Sequence, residues 1–392
     1  MKLGVLAIRF VLVAALWLLI LLFLAITLVP PFLDREYHSG PVGSHFNGTH
    51  FFNPDGEPIP GLSGPRGGSV TRFIPGGAAR PPWPTHVAVR PAKPGTLPAL
   101  KPGEMRAIWV GHATVLVQVA GLNILTDPIW SDVAGPFNLV GPSRTMDPGI
   151  RFDDLPRIDI VVVSHNHYDH MDLATLERLQ ARDKPTIIVA LGNERLLAAY
   201  GIRAHGLDWG ESLRLGKGVA VHLTRNHHWS SRWFVDRDRA LWSAFVVETP
   251  AGNIFFAGDT GPGDMHWTKE AQAWGPIRLA LLPIGAFRFT PHQMVNGAHI
   301  GPREAMTAFG MLGAAAAIPI HWGTFRLSAE AWGTPPALLR LFADCAGVDP
   351  ARFTAIWPGR PVMVPAAAAK PGAPRRTASQ CRDDAPAIRA LP

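Results

Sequence analysis

The sequence predicts an α/β protein in which helices cover β-sheets, with one membrane-spanning helix in front. Three observations lead there. From about Arg106 the chain runs through short β-branched and apolar segments closed by Gly, Asp or Pro, the pattern of buried strands. Stretches of helical periodicity lie between the later ones, and strands alternating with helices make a layered α/β fold. Ahead of them, Phe10 to Val29 carries no charge and almost no polar group. That is enough helix to cross a hydrocarbon core of about 30 Å.

Taken in order, Lys2 and Arg9 precede the apolar run, so the N-terminus is expected in the cytoplasm and the body across the membrane, on the periplasmic side of an inner membrane. A cleaved signal peptide is the rival reading. The run exceeds the usual apolar core of such a peptide, and "ITLVPPF" offers no obvious small-x-small cleavage site, so residues 1–30 are expected to stay as an anchor. Residues 31–103 are rich in Pro, Gly and Ser ("GLSGPRGGS", "RPPWPTHVAVRPAKPG") and are not expected to make a core of their own. The aromatic "HFNGTHFFNP" at 45–54 is expected to lay this extension along the main domain. Within it, Asn47-Gly48-Thr49 has the form of a glycosylation sequon, a three-residue match that carries little weight.

The main domain is expected over 104–365. Its strands are "RAIWVG", "TVLVQVA", "LNILTD", "IDIVVVS", "PTIIVAL", "VAVHLT", "SAFVVET", "NIFFAGD", "LALLPIG" and "AAAIPIH". Its helices are expected at 172–182, 192–200, 264–274, 302–312 and 328–345. After "WPGRPVMVP" the Ala/Pro/Arg-rich stretch 366–392 reads as a disordered tail.

Composition narrows the chemistry. With 47% hydrophobic and 17% charged residues, the 392-residue chain suits a globular protein with an added membrane segment. The only cysteines, Cys345 and Cys381, are too few for a disulfide scaffold or a Cys-based zinc finger, although they suffice for one disulfide. A net charge of +7 suits nucleic acid, an anionic membrane or an anionic substrate. No dense Lys/Arg run with interleaved aromatics appears, so nucleic acid is not the expected partner. Several basic residues (Lys370, Arg375, Arg376, Arg382, Arg389) fall in the tail.

The stretch "SHNHYDHMD" at 164–172 puts three histidines and two aspartates at the end of an apolar strand. In an extended segment His165 and His167 point to one side together, and after a turn Asp169 and His170 can face a second point nearby. Imidazole nitrogens and carboxylate oxygens are the ligands zinc takes when cysteine is absent. A packing role is hard to sustain, because such groups buried unpaired are costly. Four ligands from one loop are too many for a single metal with an open position, so the pattern asks for two metals and partners elsewhere. Other strand ends offer them: His227 and His228 in "TRNHHWSSRW", Asp259 in "FFAGDTG" and His321 in "IPIHWGTF". Spacing alone does not choose between His227 and His228.

The ordered series "WVGHATVLVQ", "GLNILTDPIWS", "VVVSHNHYDHMD", "NHHWSSR", "FFAGDTG", "LLPIGAF" and "IHWGTF" resembles the metallo-β-lactamase superfamily over about residues 104–360. Within it, the series is most similar to the branch of N-acylphosphatidylethanolamine-hydrolysing phospholipase D. The resemblance implies an αββα sandwich and two Zn2+ ions, with Mn2+ or Fe2+ as other ions such ligands accept. It assigns His165, His167 and His228 to one metal, Asp169, His170 and His321 to the second, and Asp259 as the bridge. Iron-binding oxidoreductase relatives carry Glu where this chain has His167, which favours hydrolysis over redox chemistry. The family ligand directly precedes "WS", which selects His228 and leaves His227 as a supporting neighbour. Asp127 in "LTDP" is expected to organise the turn and orient ligand histidines. His112 in "GHAT" is expected beside the site, either fixing a loop or touching substrate. His299 precedes a helix start with Pro302 in its first turn. It is expected over the cleft as a catalytic residue with Asp169, and as a substrate contact with Arg288.

Two metals imply hydrolysis, since together they turn water into a nucleophile and stabilise developing negative charge. No G-x-S-x-G and no convincingly placed cysteine competes. The resemblance implies a phospholipid or phosphodiester substrate at a membrane. One departure stands out: the lipid-hydrolase branch commonly reads Tyr-Glu-Pro-Arg after "PIGA", and this chain reads Phe287-Arg288-Phe289-Thr290. A hydrolase of small phosphorylated lactones or esters is therefore a second reading. A non-catalytic metal-binding protein is a third, disfavoured because every ligand position is filled.

Overall fold

The β-branched runs pair into two facing sheets. The computed structural model describes residues 2–57, 81, 83–233, 235–289, 297–366, 381 and 386–391. Among them, the first sheet has the order β13 (Pro361–Met363), β1 (Met105–Gly111), β2 (Thr114–Val119), β3 (Leu122–Thr126), β4 (Ile160–Val163), β5 (Thr186–Ala190) and β6 (His205–Leu207). Its first four strands pair antiparallel, and β3 to β6 run parallel. The second sheet has the order β12 (Ala316–Ile320), β11 (Ile277–Pro283), β10 (Asn253–Phe256), β9 (Ala244–Glu248), β8 (Val219–Thr224) and β7 (Ser212–Gly216). Here β10, β11 and β12 are parallel and the rest antiparallel.

Period-two alternation divides the core. In β4, Ile160 and Val162 face the second sheet, whose inner side carries Phe245, Phe256 and Leu281. Val161 and Val163 point the other way, toward Leu176 and Leu179 of α2 (Leu173–Arg182) and Leu197 of α3 (Asn193–Ala198). On the far side of the second sheet lie α4 (His266–Gln272), α5 (Pro302–Leu312) and α6 (Thr334–Ala346), with Met306, Phe309 and Phe342 in the core. The result is the αββα sandwich. In front of it stands α1 (Lys2–Leu33), whose Ile8–Val29 segment is long and apolar enough to cross a membrane and is 0% buried.

Three strands escape the hydrophobic pattern. Both β6 and β13 are only three residues long, and β7 is an edge strand whose Ser212, Arg214 and Gly216 are exposed. The last large helix begins at Thr334, not at 328. Pro335 suits a helix's first turn, and the preceding segment is bent because Glu330 accepts hydrogen bonds from the Ala286 and Arg288 amides (2.6 and 3.1 Å).

The described part of the extension lies against the sandwich. Asp34 pairs with Arg239 (2.7 Å), Tyr37 donates to Asp236 (3.1 Å), and Asn53 donates to the carbonyl of His228 (2.8 Å). The expectation of a disordered tail needs correction at its end. Cys381 is buried and forms a disulfide with Cys345 on α6, and Ile388 on α7 (Pro386–Arg389) is also buried. A covalent tie and apolar burial outweigh the composition that suggested a solvated segment. The rest of the tail, 367–380 and 382–385, lies outside the described residues.

Candidate metal centre

The parallel strands put their carboxyl ends on one edge of the sandwich, where α/β sheets usually carry their sites. The chain leaving β4 supplies His165 to His170, the one leaving β8 supplies His228, and those leaving β10 and β12 supply Asp259 and His321. Asp127, just past β3, holds the loop in place. Its carboxylate accepts from the Ser164 amide (2.7 Å), the Ser164 hydroxyl (2.6 Å) and His170 Nδ1 (2.6 Å). With Nδ1 committed to Asp127, His170 presents Nε2 inward. The same logic applies to His165, whose Nδ1 lies 2.9 Å from Ser164 Oγ, and to His228, whose Nδ1 donates to the Ala298 carbonyl (2.9 Å).

Two sets of donor atoms result. His165 Nε2 lies 2.7 Å from His167 Nδ1, which lies 3.4 Å from His228 Nε2. In the second set, Asp169 Oδ2 is 3.5 Å from His170 Nε2 and 3.6 Å from His321 Nε2. Asp259 Oδ2 stands between the sets, 3.1 Å from His170 Nε2, 3.0 Å from His321 Nε2 and 3.9 Å from His228 Nε2. His170 Nε2, His321 Nε2 and Asp259 Oδ1 are buried with no hydrogen-bond partner. Buried polar atoms left without a hydrogen bond are costly, and imidazole nitrogens and carboxylate oxygens gathered within 4.8 Å of one another are the ligands divalent cations take, so this donor set fits such ions.

Electrostatics separate the two sets. Burial and the neighbouring imidazoles hold His165 well below the ordinary histidine range. Burial likewise pushes His167 down to about 3 and keeps His228 far below its usual value. Burial also works against protonating His170 and His321, but there the carboxylates prevail. Asp259, Asp169 and Asp127 hold His170 well above the ordinary value, and Asp259 with Asp169 raises His321 to about 9. Asp169 and Asp259 are in turn held well below the carboxylate range, since His170 and its neighbours outweigh burial. Burial thus disfavours protons on the three-histidine set, while the carboxylates of the second set favour them on His170 and His321.

Backbone strain collects at the same edge. His112 (φ 50°), Asp127 (φ 29°) and His321 (φ 62°) all have positive φ, a conformation costing about 1–3 kcal/mol for such residues. The His112 carbonyl accepts from the His321 amide (3.0 Å) and from Trp109 Nε1 (2.9 Å), tying the two strained turns together.

His112 Nε2 lies 2.9 Å from Asp169 Oδ2, so its ring orients that carboxylate. His299 sits over the cluster, with Nδ1 3.7 Å from Asp259 Oδ2 and its side chain 12% exposed; burial pushes its pKa down to about 4. His227 was expected as a supporting neighbour, but its ring turns to Asp55 of the extension (3.0 Å). Neighbours on an extended segment point to opposite sides, so only one of the histidine pair can face the cluster. Arg288, expected to touch substrate, is buried, and its Nη1 donates to the carbonyl of Leu391 (2.9 Å). The returning chain end, invisible to local pattern, recruits that guanidinium. Thr290, the last residue of the divergent run, lies outside the described residues.

Sequence reasoning missed several supports. Arg232 donates to the carbonyls of Asn166 (3.1 Å) and Met171 (2.8 Å), clamping the histidine loop from both ends. Asn226 donates to the carbonyls of Ala257 (3.0 Å) and Asp259 (2.7 Å). The Trp229 ring lies 4.2 Å from that of His167. Their only local signal was proximity to "HHWS".

The model of the beta-lactamase superfamily domain matches residues 122–322. The chain is 36% identical over 241 residues to the N-acyl-phosphatidylethanolamine-hydrolyzing phospholipase D 1 of Caenorhabditis elegans, covering 59% of this chain and 67% of that one. It is 30% identical over 227 residues to a metal-dependent hydrolase of Pyrobaculum aerophilum, covering 57% and 86%. Among solved structures it is similar to Igni18, a metallo hydrolase of Ignicoccus hospitalis, with a TM-score of 0.50 and 21% identity over 67% of this chain and 99% of that one. The domain match and the sandwich agree, and the chain belongs to the metallo-β-lactamase superfamily as one of its metal-dependent hydrolases.

Proposed function

We propose that this hydrolase is a binuclear zinc phosphodiesterase of the phospholipase D type, acting on N-acylated or related phospholipids. In this reading α1 anchors it, with the catalytic domain on the periplasmic face of an inner membrane. The observation that carries the binuclear reading is the position of Asp259 Oδ2, between 3.0 and 3.9 Å from nitrogens of both donor sets. His165, His167 and His228 would hold one ion and Asp169, His170 and His321 the other. A pair of such cations supplies Lewis acidity and activates water near neutral pH.

The chain's own residues do the rest. Asp127 keeps the proton on His170 Nδ1, and the Ala298 carbonyl keeps that on His228 Nδ1. His112 orients Asp169. His299, above Asp259, is placed to contact the reacting phosphoryl group, and the exposed Phe289 ring, 6.0 Å from it, is apolar wall suited to an acyl chain. The lipid class rests on the activity named for the nematode relative and on the membrane-length helix.

The test is a panel assay on full-length, detergent-solubilised protein with its metal content measured. Two zinc equivalents per chain and release of the headgroup from N-acylated phospholipids are expected. Turnover of soluble lactones or esters alone would replace the lipid reading, and fully loaded protein with no turnover would replace the enzymatic one.

A further inference from the structure

A loop between β3 and β4 displays apolar side chains that no part of the described protein covers. Phe137 is 80% exposed, Leu139 79% and Val140 72%. The loop is built rather than loose. Its neck is closed by Gly135 and Gly141, where a Cβ would overlap the backbone of Val140 and Ala134 respectively. Ala134 donates its amide to the Pro142 carbonyl (3.0 Å), and Phe137 and Asn138 hold left-handed φ of 56° each, so the tip is held out by its own turn. An ordered run of exposed apolar residues marks a surface that meets something apolar.

The surroundings of the loop say what it meets. The Phe137 ring lies 5.9 Å from that of Trp233, which lines a cavity of about 180 Å³. Arg35, Arg195, Arg232 and Tyr200 also line it, with Glu36 the one acid among the lining residues. Arg35 follows α1 by two residues, so the cavity lies where the chain leaves its apolar helix. Trp233 also lies 6.5 Å from Tyr168, which stands between His167 and Asp169 of the metal loop. The exit of the apolar helix, a cavity with more cations than anions, the exposed apolar tip and the metal loop are therefore linked on one face. Aromatic residues and arginines beside an apolar tip match the level of lipid headgroups and the acyl chains beneath.

We propose that this face docks on the bilayer, with Phe137, Leu139 and Val140 inserted among the acyl chains and Arg35 and Arg195 at the headgroups. Docking in this way sets the metal loop toward the lipid surface. The inference rests on the reading of α1 as a membrane anchor.

Both cysteines are in the disulfide, so single introduced cysteines can be labelled with an environment-sensitive fluorophore. Full-length Leu139→Cys, Leu18→Cys and Lys217→Cys variants would be reconstituted in phosphatidylcholine/phosphatidylglycerol vesicles containing acyl-chain nitroxide lipids. Leu18 reports α1, and Lys217 sits in the β7–β8 turn, at the end of β8 remote from the metal loop. The expected result is blue-shifted emission and nitroxide quenching at positions 18 and 139, with neither at 217. Quenching at 18 but not at 139 would overturn the docking and leave the anchor standing. No quenching at 18 or 139 would remove the anchor and the docking with it. A blue shift at 139 without nitroxide quenching would mean that protein covers the loop, and would also overturn the proposal.

Discussion

Asp127 is not among the proposed ligands, yet three hydrogen bonds converge on its carboxylate and decide which nitrogen His170 presents. Two of those donors, the Ser164 hydroxyl and His170 Nδ1, share Oδ2, and Asp127→Asn with its amide nitrogen at that position removes the acceptor for both. Loss of such a supporting partner typically costs about 10–100-fold in metal affinity. We expect that loss at the second donor set while His227→Ala keeps full metal content, because its ring faces Asp55. Chelator competition on the two variants measures it, and wild-type affinity in Asp127→Asn would refute the role. The proton distribution yields a second expectation. A metal must displace a proton from any ligand that holds one, so affinity rises with pH up to that ligand's pKa. His321 sits at about 9 and His170 is also raised, whereas His167 at about 3 is already neutral. Zinc added to stripped protein at pH 6 should therefore fill the three-histidine set first and the second set more weakly, with the gap narrowing toward pH 9. Calorimetric titration at both pH values shows it, and a pH-independent gap would count against the assignment.

At the scale of elements, strands and helices exist to hold this edge. β4 buries both faces, so its end emerges between two cores and its histidines cannot drift. α2 starts directly after the histidine loop, and Asp172 at its head accepts from the Thr175 hydroxyl (2.6 Å) and the Ser131 hydroxyl (2.8 Å). The inner side of α2 should carry the energy. Leu176→Ala, at a fully buried position, should cost about 2–5 kcal/mol, while Glu177→Ala on the exposed side should stay within about 0.5 kcal/mol. Denaturant melts of the two full-length variants compare them. Equal effects would mean that α2 does not pack as described.

At the scale of the molecule, segments with little core of their own close around the sandwich. Asp55 in the extension reaches His227 (3.0 Å), the Asp264 amide (3.0 Å) and Arg225 (3.6 Å). Burial opposes its charge, but the His227 and Asp264 bonds prevail and hold its carboxyl well below the usual range. A carboxylate with a depressed folded-state pKa stabilises the fold above its unfolded pKa of about 3.9, and the gain is lost as pH falls through the lower value. Asp55→Ala should therefore speed proteolysis of the extension at pH 7, with the difference from wild type shrinking below about pH 3. Equal proteolysis of both proteins at pH 7 would show that the contact does not hold the extension.

How much was legible in the sequence follows from range. The apolar helix, the main strands and the cluster "HNHYDH" are local: period-two burial and ligand spacing are written in neighbouring residues, and with the family resemblance they led to the αββα sandwich and to the histidines and aspartates that gather around Asp259. Contacts between residues far apart in the chain were not legible. Nothing near Arg288 announces Leu391, 103 positions away, and nothing near His227 announces Asp55, 172 positions away. Edge strand β7 escaped because its exposed side chains leave no apolar alternation to read. By itself the sequence determined the layered fold, the membrane-length helix and the ligand types, since each depends on residues a few positions apart. Only the tertiary structure decided what the outward histidine of the adjacent pair touches, where the chain end packs and which face gathers the apolar loop beside Arg35, because those depend on which distant segments the sandwich brings together.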